Sequence, residues 1–418
     1  MKKILLITVL AALYNLTMAG GFQINEQGAK ALAMANAFTG IANNPTAIFF
    51  NPAGITQLQG THFTAGLSLI APTTKFTGPS PATTEWEMEK QVFTPFDVYI
   101  THQFDENWYV GLSVNNQYGL GTKWPDDWAG NQLAVDTRIN SFFFTPVVAY
   151  KFSDQFSLSA GAVIAYADVK IINHTVHPLT LQPTVEITLK GNKLGYGFNA
   201  GLMYKPVEQL KLGLSYRSEV KFDFDGTATS NPAGFTHPLL QVYIPFPNGD
   251  ITAPLTTPQN ITFGIGITPT PELTLGADFQ YVGWSSYDKL EITFKTYDLS
   301  PTTPGVQNVR SAERNYKNTF IIRGGAEYKT SDAFALRAGV YFDKNPVKTE
   351  YVEPILPDAN RIGLNVGFGY MFTEKFGVDF GYLLLLFADR KVTGSEFGFN
   401  GTYKNMSHIF ALDLSYSL

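Results

Sequence analysis

Cysteine is absent from the 418 residues. The chain therefore has no disulfide framework, no zinc–thiolate site and no cysteine nucleophile. Charge is scarce as well: Lys and Arg number 30 and Asp and Glu 35, together 16 % of the chain, where a soluble domain carries about 25 %. The net charge is only −5 and no basic cluster stands out, which removes the usual grounds for nucleic-acid binding. Long apolar runs are missing too. Beyond the N-terminus the longest is Tyr382 to Ala388, far short of the roughly 20 residues of a spanning helix. What is abundant is aromatic, with 33 Phe and 21 Tyr, a composition that argues against disorder.

The first residues read as an export signal. Lys2-Lys3 form a basic start, Ile4 to Leu13 an apolar core, and Thr17-Met18-Ala19 a small-residue cleavage site. Residues 1–19 are therefore expected to be removed. Residues 20–60 follow without strand alternation. Ala29 to Ala37 predicts a short helix, and Asn43-Asn44-Pro45 and Asn51-Pro52-Ala53-Gly54 predict turns.

From residue 61 to 418 the dominant period is two. Ile362, Leu364, Val366, Phe368 and Tyr370 share one face; Gly363, Asn365, Gly367 and Gly369 share the other. Such alternation makes strands with one apolar face and one small or polar face. Fourteen strands are expected, among them 108–119, 210–227, 258–268, 272–296 and 314–329. Short turns such as Asp105–Asn107 and Thr373–Lys375 alternate with long loops, including 120–137, 173–184, 228–257 and 345–360. The layout predicts an all-β fold: a 14-stranded antiparallel transmembrane β-barrel with both termini at the short-turn end. Aromatics flank polar turn tips, as in Tyr150-Lys-Phe-Ser-Asp-Gln-Phe156, which suits a girdle at the membrane interface. Lipid would solvate the outward apolar face, and closure would leave no backbone group unpaired. A barrel of this size leaves an open lumen unless filled. Residues 20–60 are expected to fold into it as a plug; a periplasmic tail is the alternative, and the Phe and Ile content of the segment speaks against it.

Several blocks become specific in their order. Gly21-Phe22-Gln23-Ile24-Asn25-Glu26 and Ile48-Phe49-Phe50-Asn51-Pro52-Ala53-Gly54 come first. Leu212 to Gly226, Trp284 to Tyr287, Tyr316 to Asn318, Phe342-Asp343, Pro346-Val347 and Leu356 to Arg361 follow. Together they resemble the FadL/TodX family of outer-membrane transporters of long-chain fatty acids and other hydrophobic compounds. The resemblance implies an N-terminal hatch in the lumen, with Asn25, Glu26, Asn51, Pro52 and Ala53 among its hatch or gate residues. It implies a bacterial outer-membrane location with periplasmic termini, and passive transport. A hydrophobic ligand is caught on extracellular loops and passes to a lumen pocket that the mature N-terminus helps to form. Hatch rearrangement releases it, with a sideways exit at a kinked third strand as one route. Two positions depart from the family: the chain ends in Leu418 rather than an aromatic, and Asn43-Asn44 stand where acidic residues are common.

Candidate ligand residues follow from both readings. The loop Pro232 to Phe246 is apolar for a solvent-facing segment, and Phe235, Leu239, Tyr243 and Phe246 are its candidate contacts; packing of the loop on itself is the alternative. Strand parity turns Arg217, Glu219, Arg323, Glu327, Arg337 and Asp343 inward. An inward Arg217 or Arg323 could pair with a fatty carboxylate, or belong to a structural network with the plug. Asp343 and Phe22 match family positions at the hatch and pocket. His174 and His177 lack a clear third ligand, so no metal is expected, and no cofactor motif occurs. The expected partners are a hydrophobic small molecule, outer-membrane lipid and the barrel assembly machinery, with the chain as a monomer. An outer-membrane hydrolase, which needs a Ser/His or Asp/His cluster, and a polar porin, which lacks a hatch and an apolar loop, are the competing readings.

Overall fold

A computed structural model describes residues 20–177, 179, 184–295 and 308–418. The expected signal peptide lies outside the described residues. Fourteen antiparallel strands close into a barrel. They are β1 (Thr61–Thr77), β2 (Phe96–Gln103), β3 (Trp108–Asn115 and Leu120–Lys123), β4 (Asp136–Ser153), β5 (Phe156–Thr175), β6 (Val185–Val207) and β7 (Leu210–Arg217 and Lys221–Asn231). Then come β8 (Gly249–Thr256 and Asn260–Thr270), β9 (Leu273–Val282 and Lys289–Phe294), β10 (Val309–Glu313 and Thr319–Lys329), β11 (Phe334–Asp343), β12 (Arg361–Met371), β13 (Phe376–Phe387) and β14 (Gly401–Ser417). Closure is made by β1 on β14, in register from His62↔Ser417 to Thr77↔Thr402. The C-terminus lies at the turn end, where Ser417 N–H donates to the Lys375 carbonyl.

The outward face is apolar, as on β4, β8, β12 and β14. Phe142, Phe144, Phe263, Leu364, Val366 and Leu412 are all exposed there. No helix among the described residues is long and apolar enough to cross a membrane. The inward face is small because the N-terminal segment lies against it. At Gly213 and Gly325 an added Cβ would run into the carbonyls of Thr39 and Met34, so only glycine permits that approach.

The segment itself is short helices and turns: α1 (Ala29–Ala33), α2 (Ala47–Phe50) and a 3₁₀ turn at Pro52–Gln57. The helix is shorter than the expected Ala29 to Ala37. Wall side chains hold its backbone. Ala29 N–H donates to Asp413 at 2.7 Å. Phe38 and Thr39 N–H donate to Asp278 at 3.1 and 3.0 Å. Asn365 Nδ2 donates to the Leu32 carbonyl at 2.7 Å. Each pairs a buried polar group that would otherwise cost about 1–3 kcal/mol.

Five strands are interrupted at intermediate height, which period-two reading did not anticipate. The expected strand 108–119 stops at Asn115 and resumes at Leu120, and the expected strand 272–296 breaks around a 3₁₀ turn at Trp284–Ser286. The expected loop 228–257 is largely ladder: the upper part of β7 pairs with the upper part of β8 from Lys221↔Thr256 to Ala228↔Gly249. Only its tip is a separate hairpin, Gly234–Thr236 on Tyr243–Pro245. Some interruptions also flip parity, although the break in β9 keeps even residues inward on both sides. Below the break in β7 the odd residues Ser215 and Arg217 face in; above it the even residues Phe222 and Phe224 do. Glu219 sits in the break and is exposed, so the expectation that it faces the lumen is corrected.

Candidate functional site

The break in β3 is built from specific side chains. Asn116 Oδ1 accepts from Phe96 N–H of β2 at 2.9 Å, and its Nδ2 donates to the Ser141 carbonyl of β4 at 2.6 Å. Ser141 Oγ donates to the Tyr118 carbonyl at 2.6 Å. The N-terminal segment supplies the remaining bonds. Ile24 N–H donates to the Gln117 carbonyl at 2.9 Å, and Gly119 N–H donates to the Phe22 carbonyl at 3.0 Å. Gln23 and Tyr118 thus face each other as an isolated antiparallel bridge. The interruption has its hydrogen-bonding groups answered, as buried backbone requires.

Phe22 is the side chain this arrangement positions. It is 4 % exposed and meets three rings edge-on: Trp284 at 4.9 Å, Tyr287 at 5.8 Å and Tyr118 at 6.0 Å. Trp284 and Tyr287 come from the break in β9, which swings them inward. Gly21 N–H donates to Asp358 at 2.7 Å. Burial pushes the Asp358 carboxyl up to about 6.

Two cavities meet at this ring. One is interior, about 80 Å³, and lined by Phe22 with Leu120, Val169, Ile171, Phe224 and Ile292 among its apolar walls. Its polar edge is an ion pair, Arg314 to Glu353 at 2.6 Å. Burial pushes the Glu353 carboxyl above the usual carboxylate range, and Arg314 opposes the shift. The other cavity, about 570 Å³, is also lined by Phe22 and runs through the wall between β1, β2 and β4. Its lining passes from inward residues such as Arg361 and Leu385 to outward ones such as Phe96, Phe142 and Met406. Phe142 and Met406 are 39 % and 38 % exposed on the lipid face.

The other candidate residues lie elsewhere. Arg217 faces in, as parity predicts, but packs its guanidinium 3.8 Å over the Phe49 ring and reaches Gln117 at 3.3 Å. Arg323 faces in, opposite Asp278 in register, and with Arg217 and Asn25 borders a small polar space around the segment. Asp343 is fully buried in an ion pair with Arg361 at 2.8 Å. Neither arginine nor Asp343 lines either cavity. Glu26 lines the wall cavity. Asn51 Nδ2 donates to the Leu202 carbonyl at 2.9 Å, Pro52 opens the 3₁₀ turn, and the Ala53 carbonyl accepts from Ser157 at 3.2 Å. At the hairpin, Phe235 packs 4.7 Å from His177, and Phe246 is buried. Leu239 is 88 % exposed and Tyr243 56 %.

Sequence reading missed most of the interior cavity. Val169, Ile171 and Leu189 carried a usable signal: apolar side chains on the face that is otherwise small. Leu120 and Phe224 carried none, because parity flips at breaks seen only in three dimensions. Arg314, Tyr287 and Tyr316 enter from irregular segments.

Among the described residues no group of His, Asp and Glu is placed to hold a metal. Ser417 Oγ lies 2.8 Å from His62 Nδ1, whose Nε2 faces the Gln59 carbonyl at 2.7 Å. No carboxylate joins that set, and neither residue lines the two cavities.

Comparison with known proteins matches residues 10–418 to the model of the outer membrane protein transport protein family, OMPP1/FadL/TodX. The long-chain fatty acid transport protein of Salmonella typhi is 25 % identical over 96 % of this chain and 94 % of its own. That of Escherichia coli K12 is 24 % identical over the same shares. Among solved structures, a FadL homologue from Pseudomonas aeruginosa superposes with a TM-score of 0.81 at 20 % identity, covering 95 % of this chain and all of that one. The toluene transporter TodX of Pseudomonas putida does so at 0.68 and 16 %, covering 92 % and 98 %. A single family model over nearly the whole chain, with the same closed barrel beneath it, makes this protein a member of the FadL/TodX family of outer-membrane transport proteins.

Proposed function

We propose that this barrel carries hydrophobic small molecules, long-chain fatty acids or aromatic hydrocarbons, passively across the outer membrane, without catalysis. Its relatives named for fatty acid transport and its structural neighbour named for toluene transport support the substrate class. The loops face outward and the termini the periplasm. The barrel works as a monomer whose closure leaves no strand edge open to a second copy; it is inserted by the barrel assembly machinery and is solvated by outer-membrane lipid.

One observation carries the mechanism: Phe22 lines both cavities while its own backbone bridges the break in β3. Apolar ligands meet the exposed hairpin tip, where Leu239 and Tyr243 form the capture surface with Phe235 beside them, while the buried Phe246 packs beneath. The interior cavity, at about 80 Å³, is well below the roughly 300 Å³ of ordinary ligand sites. A ligand of any length therefore needs Phe22 to move. That movement joins the two cavities and frees the bridge to β3, opening a path through the wall. Residues 20–60 act as the hatch, and Arg217, Arg323 and Asp343 hold it and its surroundings rather than the ligand. Arg314, at the polar edge of the interior cavity, meets a carboxylate head group only by exchanging Glu353 for it.

The test is a lock. The Gln23–Tyr118 bridge lies between the two hydrogen bonds that flank it, a geometry with Cα atoms about 4.5 Å apart, within disulfide range. The chain has no cysteine of its own. Gln23→Cys with Tyr118→Cys is expected to abolish uptake of labelled oleate or toluene into proteoliposomes when oxidised and to regain it on reduction. Equal uptake in both states refutes hatch movement at this bridge.

A further inference from the structure

Lys317, Lys344, Lys348 and Arg390 line one pocket of about 350 Å³ at the loop-end rim of β10 to β13. They converge from four places: the break in β10, the end of β11, the loop after it and the short strand beyond β13. Glu350 is the one carboxylate of the lining. Four cations against one carboxylate stand out in a chain whose net charge is −5. Many other exposed lysines sit on carboxylates, as Lys75 does on Glu85 and Lys193 on Asp225, and the exposed lysines without such a partner, such as Lys90, Lys329 and Lys375, are not among the residues that line this pocket. None of these four has an ion-pair partner within 4.0 Å among the described residues. Lys344 Nζ and Lys348 Nζ instead lie 5.5 Å from the ring centres of Phe320 and Tyr351. Arg390 gives Nη2 to the Val347 carbonyl at 2.7 Å, and its Nε is buried without a partner. Four cations with one carboxylate in the lining repel one another more than that carboxylate offsets, so an anion from outside the chain would stabilise the pocket.

Its height identifies that anion. Phe342, Ile362, Leu386 and Met406 stand in one cross-strand row on the outward face. Lys344 and Asn360 are each two residues beyond that row, about 7 Å higher along the strands. The pocket therefore opens where the lipid-facing apolar band ends. A phosphate held there leaves acyl chains free to run down over Ile362, Leu386 and Ile322, which are exposed. We propose that the pocket binds the phosphate monoester of a glycolipid in the leaflet facing the loops. A monoester carries about −1.5 to −2 at neutral pH and so matches the pocket better than a phosphodiester with one charge. Lysine and arginine supply charge-assisted donors to its oxygens. The choice of leaflet rests on the outward orientation of the loops proposed above.

The test uses the purified full chain in detergent, with native mass spectrometry during titration by bisphosphorylated lipid A, by its dephosphorylated form and by inorganic phosphate. One lipid A is expected to bind, and dephosphorylation or Lys317→Gln with Lys344→Gln to weaken it about tenfold or more. Inorganic phosphate is expected not to displace it. Unchanged thermal unfolding of the double variant shows that the barrel is intact. Equal binding of the dephosphorylated lipid, unchanged binding by the double variant, or full displacement by phosphate alone overturns the proposal. Orientation is read separately by labelling Thr349→Cys on intact cells with an impermeant maleimide. Labelling only after permeabilisation refutes the orientation and the leaflet, and leaves the binding result to be judged by itself.

Discussion

Replacing Phe22 by alanine isolates the contact on which the gating argument turns. All three ring contacts of Phe22 cross from the N-terminal segment to Tyr118, Trp284 and Tyr287 of the wall. Removing a buried Phe side chain costs about 3–5 kcal/mol, and here the loss falls on docking of the segment rather than on the barrel. Besides backbone packing, three hydrogen bonds to the wall then still hold residues 20–24: Gly21 N–H to Asp358, Ile24 N–H to Gln117 and Gly119 N–H to Phe22. Each is worth about 0.5–1.5 kcal/mol net. Losing about 3 kcal/mol raises the undocked population roughly a hundredfold. Hydrogen exchange reads this directly, because the Ile24 and Gly119 amides are the bonded groups. Both are expected to exchange about a hundred times faster in Phe22→Ala, while amides of β12 and β13 keep their protection. Unchanged exchange at Ile24 and Gly119 would refute the claim that the ring holds the segment in the break.

Deletion of residues 21–60 is expected to leave a folded barrel with raised, unselective conductance in planar bilayers; an unchanged conductance removes the plug. Phe235→Asp, Leu239→Asp and Tyr243→Asp together are expected to slow uptake of hydrophobic compounds and spare small polar solutes, and equal slowing of both would sink loop capture. Asp358 has its carboxyl raised from 3.8 to about 6 by burial. Its contribution to stability is therefore full below the ordinary carboxylate value and is lost as pH rises through about 6. Thermal unfolding of Asp358→Asn, followed from about pH 4 to 7, is expected to gain on the parent up to about pH 6 and then level off; a difference constant across that range contradicts the assignment.

How much was legible follows from how local each signal is. The outward face of β12, Ile362 to Tyr370, was readable because lipid presents one uniform solvent and every second side chain must answer it. The inward placement of Arg217, Arg323 and Asp343 followed from the same parity. The break in β3 was not readable as a break. Asn116, Tyr118 and Gly119 continue an acceptable strand pattern, and only their partners, Phe96, Ser141 and the N-terminal Phe22 and Ile24, pull the backbone out of the ladder. Beyond the break in β7 parity inverts, which is why Phe224 was hidden as a cavity residue, and Glu219, inside that break, was misplaced. The family resemblance named the kinked strand and Phe22, but not the rings that meet Phe22.

The amino-acid sequence by itself determined a closed, even-stranded barrel with an apolar exterior, because alternation and turn spacing are properties of neighbouring residues. Tertiary structure decided where the strands break, what lines the interior cavity and which cations gather without ion-pair partners at the rim. Those features depend on groups brought together from distant parts of the chain, Phe22 with Trp284 and Lys317 with Arg390, and their juxtaposition is created only when the barrel closes.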